Sequence, residues 1–326
     1  MEYRRLGRSG LKVSELSYGS YVTFGKQMGI ETVKECMRYA FDNGINFFDT
    51  AEVYENGVAE SLMGEALREF RRDEFVVSTK IFWSGEKPNQ TGLSRKHLIE
   101  ATKNSLKRMK LDYVDLIYAH RPDPETPVEE TVLAMDYLVR NGFAFYWGTS
   151  MWPAEKIIEA YEFAKINHCI APTMEQPVYN ILSREIVENE LAEVIEKYSI
   201  GLTTFAPLSS GILTGKYANG KVPKGTRFDV DEWCINKVKN GVFTQDLLIA
   251  ITELSKIAKE IGCTLSQLSL AWCMKNKNVS SVIFGASSVD QMKENIKASE
   301  IKKLLDDTVM NKINSVVSKL KEKEEK

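Results

Sequence analysis

Histidine is scarce in this chain. Only His97, His120 and His168 occur in 326 residues, with no H-x-H or H-E-x-x-H spacing, which argues against a metal-dependent hydrolase and leaves no metal expected. The five cysteines, at 36, 169, 234, 263 and 273, contain no C-x-x-C and no paired spacing. An odd count lying mostly in helical patterns fits reduced thiols rather than a disulfide framework. No run approaches ~18 consecutive apolar residues, and the opening M-E-Y-R-R-L-G-R has no apolar signal region, so no membrane insertion is expected. Charge of a single sign is missing too. Lys and Arg number 43 against 45 Asp and Glu, interspersed, which argues against a nucleic-acid or membrane-binding face. The G-x-G-x-x-G of a Rossmann domain does not occur. These absences lead to the expectation of a soluble, cytoplasmic protein.

What the chain does have is alternation. An N-terminal β-hairpin is expected where residues 3–6 and 11–13 flank G-R-S-G. Short apolar runs predict strands at 16–18, 45–48, 75–79, 114–119, 143–147, 173–176, 201–205 and 281–284, with helically spaced segments between them, among them 31–43, 58–68, 153–166 and 184–198. Ser94 reads as a helix cap, and T-P-V-E at 126–129 as a capping box with Pro127 in the first helical position. Eight strands alternating with helices imply an α/β fold, a (β/α)8 TIM barrel in a single domain over 1–326, with its active residues at the strand ends. The loop between the seventh and eighth strands is long; residues 209–240, rich in Gly, Lys and Pro, form a candidate lid. Residues from about 315 to 326 read as a frayed, charged helical tail.

The stretch G-I-N-F-F-D-T-A-E-V-Y at 44–54 organises the rest. Asp49 stands where the second strand should end, and Tyr54 lies five residues on in the same loop. Taken alone, that pair fits a capped turn and a core-edge aromatic equally well. Lys80 and His120 close the next two strands, however, so four polar groups would converge on one rim. The chemistry that needs them is proton delivery to a carbonyl oxygen as a hydride reaches its carbon. A free Tyr, with a pKa near ~10, is a poor acid at neutral pH. A Lys cation ~4 Å away at an effective dielectric of ~20 favours the phenolate by about 4 kcal/mol. Asp49 opposes this while holding Lys80, so the phenol is expected to move part of the way down. His120 would hydrogen-bond and orient the substrate oxygen. His97 and His168 are expected at the surface or at helix ends.

These motifs resemble those of the aldo-keto reductases, most closely the branch that includes the β subunits of voltage-gated potassium channels and their bacterial relatives. The resemblance covers nearly the whole chain, through G-S-Y-V-T-F-G, D-T-A-E-V-Y with G-x-A-E-x-x-M-G, K-I-F-W, H-R-P-D-P-E-T-P-V-E-E, Y-W-G-T-S, F-A-P-L-S-S-G-I-L-T-G-K-Y and G-A-S-S-V-D-Q-M-K-E-N. It implies an NADPH-linked reductase of aldehydes and ketones, with Tyr54 as proton donor, Asp49 and Lys80 tuning it and His120 placing the substrate. Animal channel subunits resemble A-N-R-P-D-P where this chain has A-H-R-P-D-P, so the His of active reductases is kept here.

The resemblance also implies an NADP(H) site. Ser150, Met151 and Gln176 match positions at the nicotinamide, Phe205 matches an aromatic stacked on it, and Ser20, Tyr21, Gln27 and Asp49 match further cofactor contacts. Ala206, Pro207, Leu208, Ser209, Ser210 and Gly211 lead to Lys216, like the family's loop over the pyrophosphate. Gly285, Ser287, Gln291, Glu294 and Asn295 match the adenosine end, where a helix N-terminus favours phosphate. Arg227 with Ser287 matches the 2′-phosphate position. Tyr21, Phe82, Trp83, Trp152 and Tyr179 are candidates for the wall of a substrate pocket. Two other readings stay open, a cofactor-sensing module docked on a membrane channel and a barrel isomerase or lyase, and so does assembly into a homo-oligomer of four or eight chains.

Overall fold

The computed structural model describes residues 1–324. An antiparallel hairpin opens the chain, β1 (Tyr3–Arg5) against β2 (Lys12–Ser14), with Arg4 opposite Val13. Eight further strands follow: β3 (Leu16–Gly19), β4 (Phe47–Asp49), β5 (Val76–Ile81), β6 (Val114–Ala119), β7 (Ala144–Ser150), β8 (Met174–Gln176), β9 (Gly201–Thr204) and β10 (Val279–Phe284). They close into a parallel barrel in the order β10-β3-β4-β5-β6-β7-β8-β9. Strands covered on both faces read as continuous apolar runs rather than alternating ones, and β5, β6 and β10 are buried at every position.

Helices α1 (Ile30–Asp42), α2 (Val58–Leu67), α3 (Arg95–Met109), α4 (Val128–Arg140), α5 (Ala154–Ile166) and α6 (Ala192–Tyr198) connect the strands up to β9. Ser94 caps α3, its Oγ accepting from the His97 N–H at 3.3 Å. The capping box expected at α4 does not form. Pro127 is itself the cap residue, and the Thr126 hydroxyl donates instead to Asp123 Oδ2 at 2.7 Å. Nor is 184–198 one helix: a π turn over Ile186–Glu190 precedes α6. Between β9 and β10 come α7 (Arg227–Val230), α8 (Glu232–Lys239), α9 (Gln245–Glu260) and α10 (Leu265–Lys275). After β10 follow α11 (Val289–Ile296), α12 (Ala298–Ile301) and α13 (Asp307–Glu324). The charged tail is thus helical to Glu324, and 325–326 lie outside the described residues.

The chain divides into two compact units. The first is the barrel unit, Met1–Val178 with Glu185–Phe205 and Asn278–Met292; the second comprises Tyr179–Arg184, Ala206–Lys277 and the chain from Lys293 on. Within the barrel unit, Leu6 and Val13 of the hairpin join Phe47, Val76, Leu116, Tyr118, Met174 and Ile283 in one buried cluster, so the hairpin supplies part of the barrel core. Gly7 and Gly201 make that approach feasible. A Cβ on Gly7, at φ +55°, would lie 2.5 Å from the Gly201 nitrogen. In the second unit Tyr217, Phe228 and Phe243 pack ring on ring at 5.0 to 5.5 Å, and Tyr179 lies on Trp272 at 4.9 Å.

Candidate active site

Strand register decides which polar side chains meet. Asp49 pairs with Ser78 across β4 and β5, and Lys80, two residues along β5, points the same way as Ser78. Lys80 Nζ donates to Asp49 Oδ2 at 2.6 Å, to the Thr50 carbonyl at 2.7 Å and to the Tyr54 hydroxyl at 3.3 Å. The three ammonium hydrogens therefore have three acceptors, on a side chain with no exposed surface. The other Asp49 oxygen accepts from the Ser78 hydroxyl at 2.7 Å and from Gln176 Nε2 at 3.1 Å. Between β4 and Tyr54 the chain turns, the Tyr54 N–H donating to the Ala51 carbonyl at 3.1 Å, and the next two residues, Glu55 and Asn56, are both left-handed at φ 48° and 53°.

Burial pulls the Lys80 ammonium down, but the Asp49 carboxylate and Tyr54 beside it raise it above the ordinary lysine value. Lys80 stays charged. For Tyr54, burial raises the phenol, and Lys80 and Arg121 only partly offset this, with Asp49 adding to the rise. The downward movement expected from charges alone is thus reversed, because desolvation of a phenolate outweighs the nearby cation. His120 follows β6 directly, its ring edge-on to Tyr54 at 6.0 Å and to Trp83 at 5.2 Å. Burial, with Lys80 and Arg121 nearby, pushes His120 well below the ordinary histidine value, so its imidazole is neutral.

Around this group lie other expected residues of the barrel unit. Ser20 is buried, its Oγ donating to Thr50 Oγ1 at 2.9 Å, while Gln27 is exposed. Tyr21, 45% exposed, has its ring 4.9 Å from that of Tyr54, and Phe82 and Trp83 pack at 4.5 Å. Ser150 Oγ donates to the Gln176 carbonyl at 2.9 Å. Met151 is left-handed at φ 56°, its sulfur accepting from the Val178 N–H, and Trp152 is buried. Phe205 donates its N–H to the Pro177 carbonyl at 3.0 Å. Gly285 leads to Ser287, whose N–H and hydroxyl both donate to Gln291 Oε1 at the start of α11.

The second unit carries the remaining candidates. Ala206, Ser209, Ser210 and Gly211 all have positive φ, folding 206–211 into a tight turn beside Pro207 and Leu208. The N–H groups of Ser209 and Gly211 are already engaged, by the Ala206 and Leu208 carbonyls. Burial and the nearby Arg227 charge lower Lys216, so two cations lie within each other's field. Arg227 also pairs with Asp231 at 3.3 Å. Glu294 accepts from Thr264 Oγ1 at 2.8 Å, and Asn295 is buried. Tyr179, a candidate for the wall of a substrate pocket, is 2% exposed, its ring tilted against that of Trp272 at 4.9 Å.

Sequence reasoning missed several residues here. Arg121 donates through Nη1 to the His120 carbonyl at 2.5 Å and to Ser150 Oγ at 3.1 Å; its position next to a strand-end His was the available signal. Glu175 is buried beside Thr149, whose hydroxyl donates to it, and burial pushes its carboxyl up to about 7. His97, expected at a surface or helix end, is in the first turn of α3 but buried, 3.4 Å from Glu52. Glu52 in turn accepts from the Phe82 N–H at 2.7 Å. His168 is exposed. Among the described residues no His, Cys, Asp and Glu cluster suited to a metal occurs, and no helix is long and apolar enough to cross a membrane.

The model of the aldo/keto reductase family matches residues 15–318. The chain belongs to the aldo/keto reductase family. Membership implies NAD(P)H-dependent carbonyl reduction, with small carbonyl compounds as substrates. Two plant proteins of this family, from Oryza sativa subsp. japonica and Arabidopsis thaliana, are each 50% identical to the chain over 319 residues, 97% of both lengths. Each is named a probable voltage-gated potassium channel subunit beta, so this member of the aldo/keto reductase family is similar to proteins named as channel subunits.

Proposed function

We propose that the protein is an NADPH-dependent reductase of aldehydes and ketones, with Tyr54 as proton donor. The observation that carries this reading is the buried Lys80 ammonium held at once by Asp49, the Thr50 carbonyl and the Tyr54 hydroxyl. A phenol raised by burial keeps its proton at neutral pH. It yields that proton when the carbonyl oxygen gains negative charge, and the fixed Lys80 cation then faces the new phenolate. Neutral His120 donates a hydrogen bond to the same oxygen and orients it. Reduced nicotinamide supplies the hydride. Ser150, Gln176 and Phe205 are the barrel unit's candidates for holding its ring; Lys216 and Arg227 are the second unit's candidates for phosphate, since two like charges in one field favour a dianion.

Stopped-flow or steady-state loss of NADPH absorbance with a panel of aldehydes, dicarbonyls and quinones tests this. Turnover is expected with wild type, and Tyr54→Phe should cut kcat/KM by about 10²- to 10⁴-fold while NADPH affinity stays within about twofold. NADPH binding with no turnover of any carbonyl would defeat the reading. Arg227→Ala should lower NADPH affinity with little effect on NADH; an unchanged ratio removes Arg227 from the 2′-phosphate role.

The two plant relatives favour a second reading, a channel subunit that binds cofactor and turns over little. Co-purification with a channel's cytoplasmic domain, as a fourfold assembly, would support it.

A further inference from the structure

Arg121 is a cation on the rim that the reaction outlined above does not use. Its two hydrogen bonds, to the His120 carbonyl and Ser150 Oγ, both leave from Nη1. No carboxylate pairs with it among the described residues, and its guanidinium lies over the Trp83 ring, 5.9 Å from the ring centre. A guanidinium has five N–H donors in a planar fork, so the Nε and Nη2 edge is unengaged. That edge is not sealed away, since neither atom is among the buried polar atoms lacking a partner. The surrounding groups are those of the reactive rim: Arg121 acts electrostatically on Tyr54, Tyr21 and His120. The acid whose field it shares is Glu175, buried and hydrogen-bonded to Thr149.

A half-buried cation with no carboxylate in direct contact is unfavourable, and burial indeed lowers its basicity, which the more distant Glu175 only partly offsets. A neutral donor would suffice to bridge His120 and Ser150. The charge and the open fork call for an anion, and the fork matches a carboxylate bidentately. The geometry points to Arg121 as the residue that selects carbonyl substrates bearing a carboxylate, so that small anionic aldehydes and ketones, such as carboxylated benzaldehydes, are the preferred class. The carboxylate would sit on the Nε and Nη2 edge, an aryl or alkyl body against Trp83 and Tyr21, and the carbonyl toward Tyr54 and His120. This deepens the reductase reading and rests on it for the catalytic readout.

Two matched probes decide it: 4-carboxybenzaldehyde and its uncharged methyl ester, each assayed with NADPH for kcat/KM. The Kd of each is also measured on the NADPH complex by nicotinamide fluorescence. Wild type should favour the carboxylate by about 10-fold or more, as a charge-assisted pair allows. Arg121→Gln should bring that ratio to about one, and Arg121→Lys should retain an intermediate preference. The ratio cancels any general loss caused by disturbing Ser150. Equal kcat/KM and equal Kd for the two probes in wild type would overturn the inference, as would a preference that survives Arg121→Gln. Absence of all turnover defeats the reductase reading instead, and the Kd ratio then still decides the role of Arg121.

Discussion

Glu175 shows how a single side chain at the rim ties the site to pH. Its carboxyl is held near 7, against an ordinary 4.5, by burial that outweighs the Thr149 hydroxyl and the N–H groups of Met151 and Trp152. The folded chain therefore keeps a proton that the unfolded chain releases above about pH 4.5. This contribution to stability is present in full at lower pH and is lost as pH rises through 7, by roughly 3 kcal/mol in total. Glu175→Gln should flatten that decline, which urea-unfolding free energies measured from pH 5 to 8 would reveal. A variant as steep as wild type would mean that another group carries the slope. At the same scale, the Tyr54 shift was not legible in the sequence. Composition and spacing located the Lys80 cation, but the cost of burying a phenolate depends on packing from several strands and only coordinates supply it.

At the scale of elements, the sequence indicated eight strands and most of their helices because apolar runs and helical spacing are local signals. Lys80 was expected to end its strand, but β5 runs one residue further to Ile81, and the last strand starts at Val279 rather than 281. Such edges are set by pairing with neighbours, which spacing does not encode. The α4 cap failed for a similar reason: Asp123 competes for the Thr126 hydroxyl, a tertiary choice. Gly64 is the converse case, a residue whose reason appears only in the fold. It lies within α2 where the end of α3 passes, and an added Cβ would sit well under 3.0 Å from backbone atoms of Met109. Gly64→Ala gains about 1 kcal/mol of helix propensity but incurs overpacking of about 1–3 kcal/mol that no rotamer relieves. A net fall in Tm is expected by calorimetry, and an unchanged or higher Tm would show that α2 and α3 can separate at no cost.

At the scale of the whole molecule, burial sorts residues that the sequence lists as equals. Of five free cysteines, Cys36, Cys234 and Cys273 are buried and Cys169 and Cys263 are partly accessible. Burial raises the thiols of Cys169, Cys263 and Cys273 alike, to about 11 for Cys263, which slows all three, so the order of labelling follows access. A thiol-reactive disulfide reagent should therefore label Cys169 first and Cys263 more slowly in the native protein, and all five only after denaturant is added. Peptide mass mapping of the labelled sites checks the order. Rapid native labelling of Cys273 would mean that the second unit opens readily.

The hydrogen-bonding of Lys80 carries a final consequence. An amine becomes a hazard to a protein that handles aldehydes, because a free amino group condenses with them to an imine. Lys80 is protonated, and each of its hydrogens already has an acceptor, so it has no lone pair to attack an incoming carbonyl. On the function proposed above, the same three hydrogen bonds that fix the Lys80 charge beside Tyr54 would also keep the protein from capture by its own substrates.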